Sequence, residues 1–99
     1  MEMDKGRLTY YAAKKFNVTR RTIYRWIDNG VELSEIEIKM REVGSDTLIK
    51  IQNAAEILEV TKQTIYHWIK VKKIVHFKLF FKVIRFKKDE IMKQKNRVI

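Results

Sequence analysis

The sequence contains no cysteine, which excludes a disulfide scaffold and any thiolate metal site. It has no run of about eighteen apolar residues, so no segment is expected to span a membrane. Its first residues, Met1-Glu2-Met3-Asp4-Lys5-Gly6, lack the apolar stretch of a secretory signal, and the cytoplasm, with the nucleoid, is the expected setting. Catalytic vocabulary is sparse too. His67 and His76 fall on different elements, with no paired carboxylates near them. Ser34 and Ser45 have no adjacent base and no G-x-S-x-G context. No phosphate loop and no metal-ligand spacing occurs, so no enzyme activity, cofactor or metal is expected. Acidic residues are scarce in one region: beyond residue 61 only Asp89 and Glu90 remain.

What is present is enough for a core. Of 99 residues, 45% are hydrophobic and 34% charged, a balance that permits one ordinary domain or two very small ones. The net charge is +10, and it is unevenly placed. Residues 1–61 carry ten Lys/Arg and ten Asp/Glu, whereas residues 62–99 carry twelve Lys/Arg against two acids. A basic field at one end attracts polyanions, of which nucleic acid is the commonest. An anionic membrane surface or a solubility device would be served by the same charge.

The strongest signal is self-similarity. Residues 12–30 read AAKKFNVTRRTIYRWIDNG and residues 54–72 read AAEILEVTKQTIYHWIKVK, aligned without gaps at an offset of 42, with nine of nineteen pairs identical. One structural unit therefore occurs twice. In each copy an Ala-Ala pair and then Phe16 or Leu58 mark a short helix. Asn17-Val18-Thr19 or Glu59-Val60-Thr61 interrupt it. Thr19 and Thr61 are expected N-caps, and Ile23-Trp26-Ile27 or Ile65-Trp68-Ile69 give the inward stripe of a second helix. Gly30 is the expected stop of the first copy; Lys72 stands at that place in the second, which is expected to lack the stop. Two short helices joined by a three-residue turn form a helix-turn-helix.

After each pair the period changes from 3.6 to 2. Ile36, Ile38 and Met40 alternate with charged residues, Gly44-Ser45-Asp46 suggests a turn, and Thr47 to Ile51 reads as a returning strand. After the second pair, residues 74–87, IVHFKLFFKVIRFK, read as a second hairpin whose tip contains no glycine. Asp89 and Glu90 suit the start of a basic helix over 88–97. The expected fold is therefore α+β and mostly helical, with two helix-turn-helix-plus-hairpin units and a short C-terminal helix. Residues 1–6 are read as a frayed tail, 7–49 as the first unit and 50–99 as the second.

The Ala-Ala pair, the Val-Thr turn, the Thr-Ile-Tyr run and the closing "IRFKKDEI" together resemble the excisionase-like, MerR-type winged helix-turn-helix family. The second copy carries the resemblance over Ile51 to Met92 and the first over Leu8 to Ile51. It implies two tandem winged units that bind double-stranded DNA. The family includes phage and transposon excisionases, transcription regulators and plasmid maintenance factors. A phage or mobile-element accessory factor is expected, acting in recombination or as a compact transcription regulator.

With Thr19 as N-cap, Arg21, Tyr24, Arg25 and Asp28 share the face opposite Ile23 and Ile27; Gln63, Tyr66, His67 and Lys70 are their counterparts. In a helix-turn-helix this end of the second helix enters the major groove. Arginine can pair bidentately with guanine and glutamine with adenine. The expected DNA-contacting residues are Arg20, Arg21, Thr22, Tyr24 and Arg25 in the first copy and Lys62, Gln63, Thr64, Tyr66 and His67 in the second. The basic hairpin adds Lys78, Lys82 and Arg85, with Lys87 and Lys88 nearby. Cations in a helix's first turn are disfavoured by roughly 0.3–1 kcal/mol each, and a phosphate would compensate. Trp26 and Trp68 are expected in the core. Phe80 and Phe81 could pack on the first unit, meet a protein, or wedge between base steps.

The first hairpin carries Glu32, Glu35, Glu37, Glu42 and Asp46, which phosphate would repel, so it is not expected to contact DNA. It suggests instead a protein partner such as a recombinase, replication or transcription protein. Two recognition helices on one chain would make a monomer pseudo-dimeric, and a homodimer is the alternative.

Overall fold

The computed structural model describes residues 5–98. Of the expected tail, residues 1–4 lie outside the described residues, while Lys5 and Gly6 already belong to α1 (Lys5–Phe16). Helix α1 buries Leu8, Ala12, Ala13 and Phe16, a spacing of three and four residues that forms one stripe.

The turn after α1 is a Schellman motif. Asn17 adopts a left-handed conformation (φ 56°), the Val18 N–H donates to Ala13 O at 3.0 Å, and the Asn17 N–H points at Lys14 O at 3.4 Å. Helix α2 (Arg20–Asp28) then starts on Thr19, whose hydroxyl accepts the Thr22 N–H at 3.2 Å. The same local structure recurs 42 residues on. Helix α4 (Ile51–Leu58) ends with Glu59 at φ 57° and a Val60-to-Ala55 bond of 3.1 Å, and α5 (Lys62–Lys70) starts on Thr61, which caps Thr64 at 3.2 Å. Small alanines at 12, 13, 54 and 55, all buried, let the paired helices approach closely.

The two copies diverge after their second helices. The expected first hairpin is absent: residues 33–43 form α3 (Leu33–Val43). Its sequence satisfies two periods at once. Ile36, Ile38 and Met40 alternate, but Leu33, Ile36, Met40 and Val43 also fall at intervals of three, four and three. The helical set prevails. Ile36 is 0% and Val43 1% exposed in the core that α1 and α2 share, while Ile38 is 52% exposed. Strong helix formers (Leu, Glu, Lys, Met and Arg) fill the segment, and the Glu32 N–H donates to Glu35 Oε2 at 2.7 Å, satisfying one first-turn donor. Of the acids assigned to the hairpin, Glu35, Glu37 and Glu42 therefore decorate a helix, with Glu32 at its N-cap and Asp46 beyond its end. The strand expected over 47–51 reduces to one bridge residue, Ile49, whose partner is Phe86.

After α5 the chain does form a hairpin, smaller than expected. Strand β1 (Phe77–Lys78) pairs antiparallel with β2 (Ile84–Arg85), and a 3₁₀ turn over Phe80–Lys82 joins them. The glycine-free tip folds with Phe81 and Lys82 both left-handed, at φ 56° and 66°. The stop after α5 is also present. Lys72 takes the left-handed conformation (φ 60°) that Gly30 (φ 103°) takes after α2, and Lys73 N–H bonds Trp68 O at 2.8 Å. The expectation of a missing stop is corrected: the geometry is kept, and a lysine carries its strain. Helix α6 (Lys88–Val98) follows, with Asp89 and Glu90 in its first turn as expected.

Two cores result. Helices α1, α2 and α3 enclose Leu8, Phe16, Ile23, Trp26, Ile36 and Leu48; α4, α5 and α6 enclose Ala54, Ile65, Phe86 and Ile91. The hairpin divides its apolar residues between them. Leu79, with Phe77, Phe80 and Val83, packs in the first core, while Ile74, Ile84 and Phe86 pack in the second. The molecule measures 45 × 24 × 19 Å.

Candidate nucleic-acid interface

Helices α2 and α5 present equivalent outer faces. Burial of Ile23 and Trp26 in α2 and of Ile65 in α5 orients each helix, because side chains one turn apart share a face. Arg20, Arg21, Tyr24, Arg25 and Asp28 are thereby exposed on α2, and Lys62, Gln63, Tyr66, His67 and Lys70 on α5. Among the described residues the ion pairs are Lys39–Glu42 at 3.3 Å and Lys93–Glu90 at 3.7 Å. The cations of α2 and α5 are exposed, and among the described residues they have no carboxylate partner.

Thr22 and Thr64 are less available than their sequence positions suggest. Each is half-buried and shares a 3.0 Å hydroxyl contact with its capping threonine, Thr19 or Thr61. The tyrosines differ between copies. Tyr24 Oη lies 3.4 Å from the Thr9 hydroxyl and 3.5 Å from Arg20 Nη2, with Lys5 Nζ 5.7 Å from its ring centre. Thr9 and then Arg20 favour the phenolate and draw the Tyr24 hydroxyl below its ordinary pKa. Tyr66 is 53% exposed, and among the described residues its hydroxyl has no hydrogen-bond partner.

The hairpin residues separate into two groups. Lys78 and Lys82 are exposed, with no ion-pair partner among the described residues. Arg85 is directed inward: its Nε donates to Phe16 O at 3.1 Å and its Nη2 to Asn17 O at 3.1 Å. Burial lowers its pKa from the ordinary arginine value, and arginine nonetheless stays a cation. This guanidinium serves the end of α1, which is where it departs from the phosphate-contacting position expected for it. Phe80 lies edge-on to Trp26 with ring centres 5.2 Å apart, so of the three readings for Phe80 the structure selects packing on the first unit. Phe81 stays 60% exposed at the tip. Lys87 Nζ sits 5.2 Å over the Phe77 ring.

A cleft of about 350 Å³ opens beside the start of α2, lined by Asn17, Val18, Thr19, Thr22, Lys50, Val83 and Arg85. It joins the turn of the first copy to the hairpin of the second. Sequence reasoning missed Lys50 and the inward role of Arg85, since both depend on contacts remote in the chain. Among the described residues no group of three or more His, Asp or Glu could hold a metal, and no helix is long and apolar enough to cross a membrane.

Residues 48–96 match the family model of a helix-turn-helix domain. That span holds α4, α5, the hairpin and most of α6, and the match supports DNA binding by this part of the chain. No curated protein and no solved structure matches the chain.

Proposed function

We propose that this protein binds double-stranded DNA sequence-specifically, placing α5 and α2 in neighbouring major grooves. We read its role as that of a phage or mobile-element accessory factor, an excisionase-type recombination factor or a small transcription regulator, without catalytic activity or cofactor. The observation that carries the reading is the exposed basic first turn of each helix, without a carboxylate partner among the described residues and mounted on the same capped turn in both copies. The helix-turn-helix match over residues 48–96 supports it for the second copy, and the recurring geometry supports it for the first.

Charge separates the roles within that reading. The +10 excess lies at and beyond Lys62, so α5 and the lysines of the hairpin supply most of the attraction to phosphate. On α5, Gln63 and His67 stand at the base-reading positions that Arg21 and Arg25 hold on α2, so the two copies read different bases. Selection of bound sequences from random duplex, followed by footprinting, tests this. Protection of one face over about two helical turns supports tandem docking by a monomer, and absence of duplex binding at moderate salt removes the reading.

One observation favours a second reading. On α3, Glu35 and Glu42 are exposed and Ile38 is 52% exposed, a surface suited to a protein rather than to phosphate. In that reading the chain is an adaptor that recruits an integrase, a replication protein or a polymerase through α3 and holds DNA through the C-terminal copy alone.

A further inference from the structure

The hairpin between α5 and α6 is gripped from both sides. In the first core Leu79 is 4% exposed, with Phe77, Phe80 and Val83 packed around it. Phe80 meets Trp26, which belongs to the inner face of α2. Arg85 holds the carbonyls of Phe16 and Asn17 at the turn that leads into α2. In the second core Ile74, Ile84 and Phe86 pack with α4, α5 and α6. At the base Ile49 and Phe86 exchange both main-chain hydrogen bonds, at 2.8 and 2.9 Å. A segment bound this way to both cores cannot swing without breaking buried contacts in one of them. Nor can α2 and α5 reorient while it holds.

We propose that Phe80 and Arg85 are positioning residues that set the separation and helical phase of the two DNA half-sites this protein reads. This rests on the reading that α2 and α5 both enter DNA. The ligand it specifies is a duplex with two half-sites at one fixed spacing. Two modules on a flexible tether tolerate a range of spacings, whereas two modules held rigidly gain effective concentration only where the geometry permits both to engage. Half a turn of B-DNA, about five base pairs, moves the second half-site to the opposite side of the duplex. The hairpin thus acts through its buried side, and neither Phe80 nor Arg85 touches DNA.

The test uses the full chain, its Arg85→Gln and Phe80→Ala variants, and duplexes in which two selected half-sites are separated by spacers varied one base pair at a time. The wild type is expected to show one affinity maximum, about 100-fold tighter than for a single half-site, and to lose that gain about five base pairs away. Arg85→Gln is expected to keep its affinity for a single half-site within about twofold while its spacer profile flattens to about threefold. Should Phe80→Ala fail to fold, Arg85→Gln carries the comparison alone. Residual dipolar couplings give a readout that needs no DNA: one alignment tensor for both cores in the wild type, two in Arg85→Gln. A variant with the wild-type spacer profile overturns the proposal, as does a wild type whose cores align independently. Wild-type binding to one half-site without spacer dependence also overturns it, yet leaves DNA binding by α5 standing. A wild type that binds no duplex removes the functional reading and this proposal together.

Discussion

Arg85 Nε stands 3.1 Å from the carbonyl oxygen of Phe16 across 69 positions of the chain. The last four carbonyls of a helix have no partner within it, and in α1 each finds one elsewhere. Ala13 O accepts from Val18, Lys14 O from Asn17, Lys15 O from Leu48 at 2.9 Å, and Phe16 O from Arg85. Local turn geometry supplies two of these donors, and remote chain supplies the others. Arg85→Ala is therefore expected to destabilise the protein by about 1.5–3 kcal/mol, the range for a hydrogen bond made by a charged group. Urea unfolding checks this; a loss below about 0.5 kcal/mol would mean that water replaces the guanidinium.

A pair of serine substitutions distinguishes α3 from a strand. In a strand Ile36 and Ile38 would face the same side, and their losses would match. In the helix Ile36 is buried and Ile38 exposed. Ile36→Ser is expected to cost about 2–4 kcal/mol through cavity and transfer terms, while Ile38→Ser stays within about 0.5 kcal/mol. Thermal unfolding of the two variants reads the difference directly.

The two helix stops predict effects of opposite sign. Lys72 holds a left-handed conformation with a β-carbon (φ 60°), a strain glycine relieves. Lys72→Gly is expected to raise stability by about 0.5–1 kcal/mol, part of the relief being offset by the greater freedom of glycine in the unfolded chain. At Gly30 (φ 103°) an added β-carbon meets no atom within 4 Å, so Gly30→Ala loses only the backbone term, about 1 kcal/mol. Chemical denaturation midpoints measured side by side decide both.

The caps of α2 and α5 share one geometry, with hydroxyl-to-amide distances of 3.2 Å. Thr19→Ala and Thr61→Ala are each expected to cost about 1 kcal/mol, and the serine replacements much less. Their sum in the double variant should be additive, since the sites belong to different cores. Calorimetry on the four variants and the double alanine variant tests this.

For DNA binding, the charge division predicts unequal halves. Lys62→Ala with Gln63→Ala is expected to weaken binding more than Arg20→Ala with Arg21→Ala, and equal losses would count against a dominant second copy. With about six phosphates neutralised, the slope of log K against log salt should lie near −5. Titrations at several salt concentrations measure it, and a slope near zero would exclude phosphate contact.

Much of this arrangement was legible in the sequence wherever short-range rules acted. Thr19, Thr61 and the two inward stripes announced the paired helices, because caps and periodicity involve residues within one or two turns. Residues 35–41 read as a strand because Ile36, Ile38 and Met40 satisfy period 2 as well as any hairpin does. The competing set of Leu33, Ile36, Met40 and Val43 was present in the same letters. Lys72 reads as an absent stop because glycine is the usual residue there, yet the fold holds the lysine in the left-handed conformation (φ 60°).

The sequence by itself determined the two capped helix pairs, the basic second half and the repeat that relates them, since each follows from neighbours in the chain. Only the tertiary structure decided what lies between the units. Burial against α1 and α2 chose between two equally written periods and made α3 a helix. The same core drew in Phe80 and Leu79 from the second copy's hairpin. Arg85, a basic residue like Lys82, Lys87 and Lys88 near it in sequence, became a donor to the end of α1 and the turn after it because the carbonyls of Phe16 and Asn17 lay within its reach. Such choices depend on which surfaces meet, and no local pattern records that.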